Sequence, residues 1–305
     1  MQKTLPATLS AFSPAKINLF LHVTGRREDG YHLLQSVFCP ITLGDQVRLS
    51  IAPSETGQLE IARTGDLTHI PEAVDLTVRA CNAFYADANV EQPQYITIEV
   101  NKHTPEQAGL GGGSSNAAAV LRMLQAHHQH PIAPERLKQI ALSLGADVPF
   151  FLQGESAFVE GIGERITPIK GISGHLIVYK PPLSCPTPKI FSDPQLTRNS
   201  SDVKIAVFDS ARRMNSELMA YLQANTRNAL QTVVSRNFPD WEHQFGVFSS
   251  CVAKFNPQLI RMSGSGSAMF AVFASPSQLS NAVAAVADAP ELQAGKWFEC
   301  QIQPS

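Results

Sequence analysis

The chain has no run approaching the roughly 18 consecutive apolar residues that a membrane-spanning helix requires. Its opening stretch, Met1-Gln2-Lys3-Thr4-Leu5-Pro6, also lacks the apolar core of a secretion signal. Both absences point to a cytoplasmic protein. An excess of one charge sign is missing too: 24 basic residues meet 26 acidic ones, for a net charge of -2. That leaves no basic field for a nucleic-acid backbone and no charged tail. The expected partner is a small molecule, not a nucleic acid or a membrane, and none of these features encodes an oligomeric state. The five cysteines, Cys39, Cys81, Cys185, Cys251 and Cys300, are odd in number, scattered and free of any C-x-x-C. They indicate neither a disulfide framework nor a zinc site and read as buried thiols. His127, His128 and His130 form the one local histidine cluster, with no Cys or carboxylate beside them and Pro131 directly after. They read as a solvated helix end, where imidazolium would suit the macrodipole.

What is abundant is glycine in one place. Gly109-Leu110-Gly111-Gly112-Gly113-Ser114-Ser115-Asn116-Ala117-Ala118 lies between the alternating segment Tyr95–Val100, which reads as a half-buried strand, and a helical repeat of Ala117, Val120, Leu121 and Leu124. The serines are therefore expected at the helix N-cap. Four glycines let backbone N–H groups turn toward a ligand, and the helix N-terminus adds partial positive charge, so the element is suited to an anion such as phosphate. No Lys precedes the serines, which excludes the Walker loop, and Ser114 stands where the dinucleotide fingerprint needs its third glycine.

A length of 305 residues is compatible with two domains. Residues 12–23 alternate, placing Lys16, Asn18, Phe20 and His22 on one strand face and Ile17, Leu19, Leu21 and Val23 on the other. The polar face is expected to be solvated. Two further apolar runs lie within 31–51. A helix is expected through Leu76, Ala80, Ala83 and Phe84, and another from Pro134, with Leu137, Ile140, Ala141 and Leu144 as its stripe and Gly145 as its cap. Asp147, just beyond, reads locally as a cap or turn residue. The proline-rich segment 180–188 reads as a rigid loop, 192–203 as a polar stretch and 208–236 as helical. Ser263-Gly264-Ser265-Gly266-Ser267-Ala268 leads into the apolar run 269–273, and Ser275-Pro276 opens a helix with Leu279, Ala282, Val283 and Val286 on one face. This is α+β order.

The glycine stretch resembles the phosphate loop of the GHMP kinases, the family of galactokinase, homoserine kinase and mevalonate kinase. Ser13-Pro14-Ala15-Lys16-Ile17-Asn18-Leu19, Asp29-Gly30-Tyr31-His32 and Gly145-Ala146-Asp147-Val148-Pro149 resemble, with it, the branch that phosphorylates the 2-hydroxyl of 4-diphosphocytidyl-2-C-methyl-D-erythritol in non-mevalonate isoprenoid precursor synthesis. The resemblance implies a two-domain α+β GHMP fold: an N-terminal nucleotide-binding α/β domain over 1–156 and a C-terminal ferredoxin-like α/β sandwich over 157–305. It implies ATP and Mg²⁺ as cofactors, with Lys16 and Asp147 catalytic, Asp147 taking the proton of the substrate hydroxyl. For ATP it implies Pro105, Gln107, Ala108, Gly109, Leu110, Gly111, Gly112, Gly113, Ser114 and Ser115. For substrate it implies Asn18, Tyr31, His32, Phe191, Gly264 and Gly266, with the aromatic rings placed to stack on cytosine. No metal ligand is assigned; Ser115 is a candidate.

Some positions depart from the branch. Gln107 stands in place of a loop glycine, Asp75 in place of Asn before Leu76, Pro182 in place of Gly, and Asn228-Ala229-Leu230-Gln231 in place of Asn-Asp-Leu-Glu. Gln107 must either hold strain at positive φ or be accommodated by another backbone route through Ala108 and the glycines; the second is expected. Two rivals are another GHMP small-molecule kinase, which gives no reason for Gly30-Tyr31-His32, and a catalytically silent nucleotide sensor, against which Lys16 and Asp147 argue.

Overall fold

The structure is a computed structural model that describes residues 7–88, 90, 94–209 and 215–304. The opening hexapeptide, and residues 210–214 of the 208–236 helical pattern, lie outside the described residues. The chain folds into two compact units, each assembled from separate segments. The first comprises Met1–Ala15, Gly44–Thr104 and Gly111–Gly154, and the second Lys16–Leu43, Pro105–Leu110 and Glu155–Ser305. Two long strands, β1 (Ala7–Arg26) and β2 (His32–Pro53), contribute residues to each. The two apolar runs expected within 31–51 are thus one continuous strand.

In the first unit, β3 (Glu60–Gly65) runs parallel to β4 (Gln94–Asn101), whose other edge pairs antiparallel with the end of β2, from Gln46↔Asn101 to Pro53↔Gln94. Alternation decides the faces: Ile96, Ile98 and Val100 of β4 are buried, with Val47, Leu49 and Ile51 of β2. Helices α1 (Leu76–Asp87), α2 (Gly112–His127), α3 (Pro134–Leu144) and α4 (Val148–Gln153) complete the unit. Their buried stripes include Val78, Ala80 and Phe84 of α1, Ala117, Val120, Leu121 and Leu124 of α2, and Ile140, Ala141 and Leu144 of α3. In the histidine cluster His130 is exposed as expected, and His128 departs from that solvation. His128 lies 5.9 Å from the Phe84 ring and its Nε2 is 2.8 Å from the Tyr85 hydroxyl, so it packs against α1. Among the described residues no group of three or more His, Cys, Asp or Glu is placed to hold a metal.

In the second unit, β5 (Ala157–Gly161) pairs antiparallel with the first part of β2, and β6 (Arg165–Pro168) pairs with β5. A separate sheet contains β7 (His175–Lys180), β8 (Leu259–Met262), β9 (Met269–Phe273) and β10 (Lys296–Gln301) in the order β10-β7-β9-β8, every neighbour antiparallel. Between β7 and β8 come α5 (Thr187–Phe191), α6 (Ala206–Asp209), α7 (Asn215–Asn225), α8 (Gln231–Asn237) and α9 (Pro239–Ala253); α10 (Pro276–Ala287) joins β9 to β10. Each crossover leaves a gap that a strand from the other crossover fills, which is the ferredoxin-like arrangement. Trp241, Phe248 and Val252 of α9 and Leu279, Ala282 and Val286 of α10 share a core with Ile177, Tyr179, Ala271 and Phe273 of the sheet. Ser275 caps α10 in a reciprocal capping box with Gln278. The proline-rich segment leads into α5, whose first turn tolerates Pro188 because no N–H is needed there. Of the cysteines, four are buried and Cys251 is half-buried; burial pushes the Cys39, Cys81 and Cys300 thiols up to about 12.

Two buried carboxylates brace the first unit. Asp75 is 3% exposed, accepts from Thr77 N (2.9 Å) and Thr77 Oγ1 (2.7 Å) at the start of α1, and receives Arg63 Nη1 at 3.0 Å. The Asn-to-Asp departure thus comes with a cation. Asp45 is fully buried and accepts from Lys102 Nζ (2.5 Å), His103 N (2.9 Å) and Thr104 N (2.7 Å), which pins the chain leaving β4. Burial alone would raise its pKa, but the Lys102 charge and these hydrogen bonds together hold it below the ordinary carboxylate range.

Asp45→Ala leaves Lys102 and two N–H groups without their acceptor, and is expected to cost about 3–5 kcal/mol in urea unfolding. The sign with pH follows from the depressed pKa. The carboxylate's contribution is complete above its unfolded-state value of about 3.9 and is lost as the pH falls through the folded-state value, so the Asp45→Ala deficit should shrink in acid.

Candidate active site

Lys16 and Asn18 lie in β1 where the strand is buried on both faces: Lys16 is 4% exposed, and Asn18 and Phe20 are inaccessible. The expected solvated face does not exist. Lys16 Nζ donates to Asn18 Oδ1 (2.7 Å) and sits 4.7 Å from the centre of the Phe38 ring. Asn18 Nδ2 donates to Ser36 Oγ at 2.9 Å, and Ser36 donates to the Phe20 carbonyl. Asn18 is thereby oriented with its oxygen toward the ammonium. The Lys16 backbone N–H donates to Leu110 O at 2.9 Å, which joins this strand to the glycine loop.

The loop itself departs from expectation at two points. Gln107 takes φ 50°, so the left-handed turn is retained on a residue with a Cβ; the alternative backbone route is not used. Helix α2 starts at Gly112 with Gly111, at φ 74°, as its N-cap, so the serines sit inside the first turn and do not cap it. Ser115 N is already bonded to Gly111 O (2.9 Å). By helix geometry the N–H groups of Gly112, Gly113 and Ser114 have no carbonyl one turn back and are the donors available to an anion. Ser115 Oγ is fully buried, 2.7 Å from Ser13 Oγ, which is itself 2.7 Å from Asn116 Oδ1. Ser13 Oγ is the donor toward both Ser115 Oγ and Asn116 Oδ1 and shares its one proton between them. Ser115 braces the helix start and presents nothing outward.

The stretch Pro105–Leu110 packs on the second glycine turn. Ala268 N donates to Ala108 O (3.1 Å), Ser267 N to Gln107 O (3.4 Å), and Ser263 Oγ to Gly109 O (3.0 Å). A Cβ on Gly109 would lie 2.2 Å from Ser263 O, and one on Gly264 would lie 2.8 Å from Gly109 O. Gly264 and Gly266, with φ 54° and 86°, shape this turn. Asn228 Nδ2 holds its base through Met262 O (2.9 Å) and Gly264 O (2.8 Å), and Gln231 Oε1 accepts from Met262 N (3.1 Å), a role glutamate would also fill.

Asp147 opens α4 without capping it through its side chain. The turn before it lies beside the α2 N-terminus: a Cβ on Gly145 would be 3.9 Å from Ser114 Oγ. In the second unit, Tyr31 and His32 stand at the β1–β2 turn, closed by Arg27 N to Tyr31 O (2.8 Å) and Gly30 N to Arg27 O (3.0 Å). Tyr31 is 62% exposed, and the His32 and Phe191 rings are 5.1 Å apart. Sequence reasoning missed Arg198, whose Nε donates to His32 Nε2 at 3.0 Å; it falls in a polar stretch that carries no periodic signal. The residues brought together within one unit are thus Lys16, Asn18 and Leu110; Gln107, Ala108 and Gly109 with Gly264 and Gly266; His32 with Phe191; and Ser114 with the Asp147 turn.

A glycine loop opening a helix, a buried strand lysine and a ferredoxin-like sheet define the small-molecule kinases of the GHMP type, and residues 75–155 match the family described as GHMP kinases N terminal domain. The chain is 39% identical over 270 residues to a 4-diphosphocytidyl-2-C-methyl-D-erythritol kinase of Janthinobacterium sp. (strain Marseille), covering 86% of this chain and 84% of that one. It is also 39% identical over 282 residues to the protein of that name from Thiobacillus denitrificans, covering 90% of each. A crystal structure of 4-(cytidine 5'-diphospho)-2C-methyl-D-erythritol kinase superposes with TM-score 0.76 at 32% identity, over 97% of this chain and all of that one. A homoserine kinase from Cytophaga hutchinsonii shares the fold, at TM-score 0.72 and 13% identity over 100% of this chain and 97% of that one. The chain belongs to the 4-diphosphocytidyl-2-C-methyl-D-erythritol kinase family, a branch of the GHMP kinases.

Gly109→Ala places a methyl group against a carbonyl at positive φ, and should cost more than about 3 kcal/mol in unfolding free energy or displace the 263–267 turn. Gln107→Gly should act in the opposite direction. It relieves roughly 1–2 kcal/mol of left-handed backbone energy against about 0.5–1 kcal/mol of added chain entropy, for a net gain near 0.5–1 kcal/mol by denaturant titration.

Proposed function

We propose that this chain transfers the γ-phosphoryl group of ATP to the 2-hydroxyl of 4-diphosphocytidyl-2-C-methyl-D-erythritol, a step of the non-mevalonate route to isoprenoid precursors. The observation that supports it most directly is Lys16: a buried ammonium, oriented by Asn18, on a strand whose backbone is bonded to the phosphate-loop carbonyl of Leu110. In this reading the buried ammonium also meets the charge of the transferring group. The names of the relatives supply the substrate.

In this reading the N–H groups of Gly112, Gly113 and Ser114, with the α2 dipole, hold ATP phosphate oxygens. Pro105, Gln107, Ala108, Gly109 and Leu110 shape the approach to them. Asp147 accepts the proton of the 2-hydroxyl as that oxygen bonds to the γ-phosphorus; the bond to the bridging oxygen breaks and ADP leaves with the electron pair. Lys16 offsets the negative charge on the transferring group. Asn18 acts through Lys16, while Gly264 and Gly266 keep the 263–267 turn against Gly109. Tyr31, His32 and Phe191 take the cytosine, the aromatic rings by stacking.

Mg²⁺ is proposed to arrive on ATP. When bound it would neutralise charge on the phosphates. Ser115 does not fit as its ligand, since that hydroxyl is buried and engaged with Ser13. No protein residue is assigned to the ion.

ADP release measured against a panel of alcohols should be confined to the diphosphocytidyl substrate, and equal turnover with homoserine or mevalonate would sink the proposal. Asp147→Asn should lower kcat by about 10² to 10⁴ while calorimetric ATP binding is unchanged. Phe191→Ala should weaken the cytidyl ligand by about 1–3 kcal/mol without changing ATP affinity. Equal weakening of both ligands would mean general damage and remove the stacking role.

A further inference from the structure

The cytosine reading leaves one question of chemistry unanswered: which edge of the base His32 addresses. Neutral imidazole has one donor and one acceptor nitrogen, and the two tautomers recognise opposite partners. Arg198 decides between them. A guanidinium only donates, so His32 Nε2, 3.0 Å from Arg198 Nε, must carry a lone pair. The ring proton therefore resides on Nδ1, where it has no partner among the described residues.

The guanidinium is itself held in place. Arg198 Nη1 donates to Leu196 O (3.2 Å), and Nη2 donates to Asp193 O (2.8 Å) and Phe191 O (3.3 Å). One planar group thus ties the imidazole of His32 to the backbone of Phe191, whose ring is 5.1 Å from it. Lysine has no fork of donors with which to reproduce this. Burial, and then the positive charges of Arg198 and Arg26, lower the His32 pKa from its ordinary value and so favour the neutral ring.

We infer that Arg198 is a positioning residue for base recognition, holding His32 as an Nδ1–H donor that matches the acceptor atom N3 of cytosine and opposes the N3–H of uracil. The inference deepens the cytidyl reading above and rests on it. Discrimination between the two pyrimidines then follows from a donor meeting a donor, an unpaired contact that costs more than a missing one.

Long-range ¹H–¹⁵N spectra of the wild-type protein, with and without CDP, test this without any variant. His32 should show the Nδ1–H tautomer, and CDP should shift its ring signals. A wild-type ring protonated on Nε2, or cationic at pH 7, overturns the inference. Arg198→Met should release the ring to a mixture of tautomers and raise KM for the cytidyl substrate about tenfold. It should narrow the preference over a uridine analogue by a similar factor and leave KM for ATP unchanged. Arg198→Lys, which keeps the charge but not the fork, should not restore the tautomer. Unchanged KM and tautomer in Arg198→Met, or full rescue by Lys, also overturns the inference. If the wild-type tautomer is as stated but CDP moves neither His32 nor Phe191, the cytidyl reading is what has failed, and the inference falls with it.

Discussion

The contact on which the second unit most depends is backbone against backbone. Gly109 and the Ser263–Gly266 turn approach so closely that a single methyl on either side meets a carbonyl oxygen at 2.2 or 2.8 Å. Because Gly109 and Gly264 carry no side chain, main-chain groups of 107–109 can hydrogen-bond directly to Ser263, Ser267 and Ala268. Asn228 then holds the turn from behind, and Lys16 N holds Leu110 from the strand side. Loop glycine has two causes here. In the proposed function Gly112 and Gly113 give an anion access to helix N–H groups, whereas Gly109 and Gly264 let two stretches of chain touch.

Buried polarity is organised by the same economy. Lys16, Asn18, Ser36 and the Phe20 carbonyl form a chain in which each donor has an acceptor, so a strand that carries lysine and asparagine can be buried on both faces. At the start of α2, Ser13 is likewise the donor to Ser115 and Asn116. Such chains set side-chain orientation without a ligand, which matters when phosphoryl transfer requires preorganised charge.

Cations are stabilised in two different ways. Lys102 and Arg63 meet the buried carboxylates of Asp45 and Asp75. Arg261, 5% exposed, donates instead to Leu19 O, Leu222 O, Thr226 O and Thr226 Oγ1, and its pKa is lowered to about 10 by burial. Leu222 and Thr226 lie at the C-terminal end of α7, where the helix dipole favours a positive group. Arg198 follows that second pattern with the carbonyls of 191–196, and the donor it has left over reaches His32.

Local patterns carry a good part of this protein in the sequence itself. Alternation at 95–100, the stripes of α1, α3 and α10, and the glycine-to-helix junction are short-range consequences of side-chain size and period, legible without a structure. The motifs that resemble the GHMP kinases mark the same places and add the architecture. What depended on distant parts of the chain was not legible. Nothing near Lys16 reveals that its strand is buried on both faces, because the covering residues come from elsewhere. Nothing near Ser115 shows that Ser13, 102 positions earlier, donates to it. Gln107 kept a left-handed φ because backbone partners at 267 and 268 hold the loop, a constraint its neighbours do not encode. Arg198 lies 166 positions from His32. Sequence determines which groups can donate, accept, or turn left-handed; only the folded chain decides which distant group each one meets, because hydrogen bonds act over about 3 Å and not along the chain.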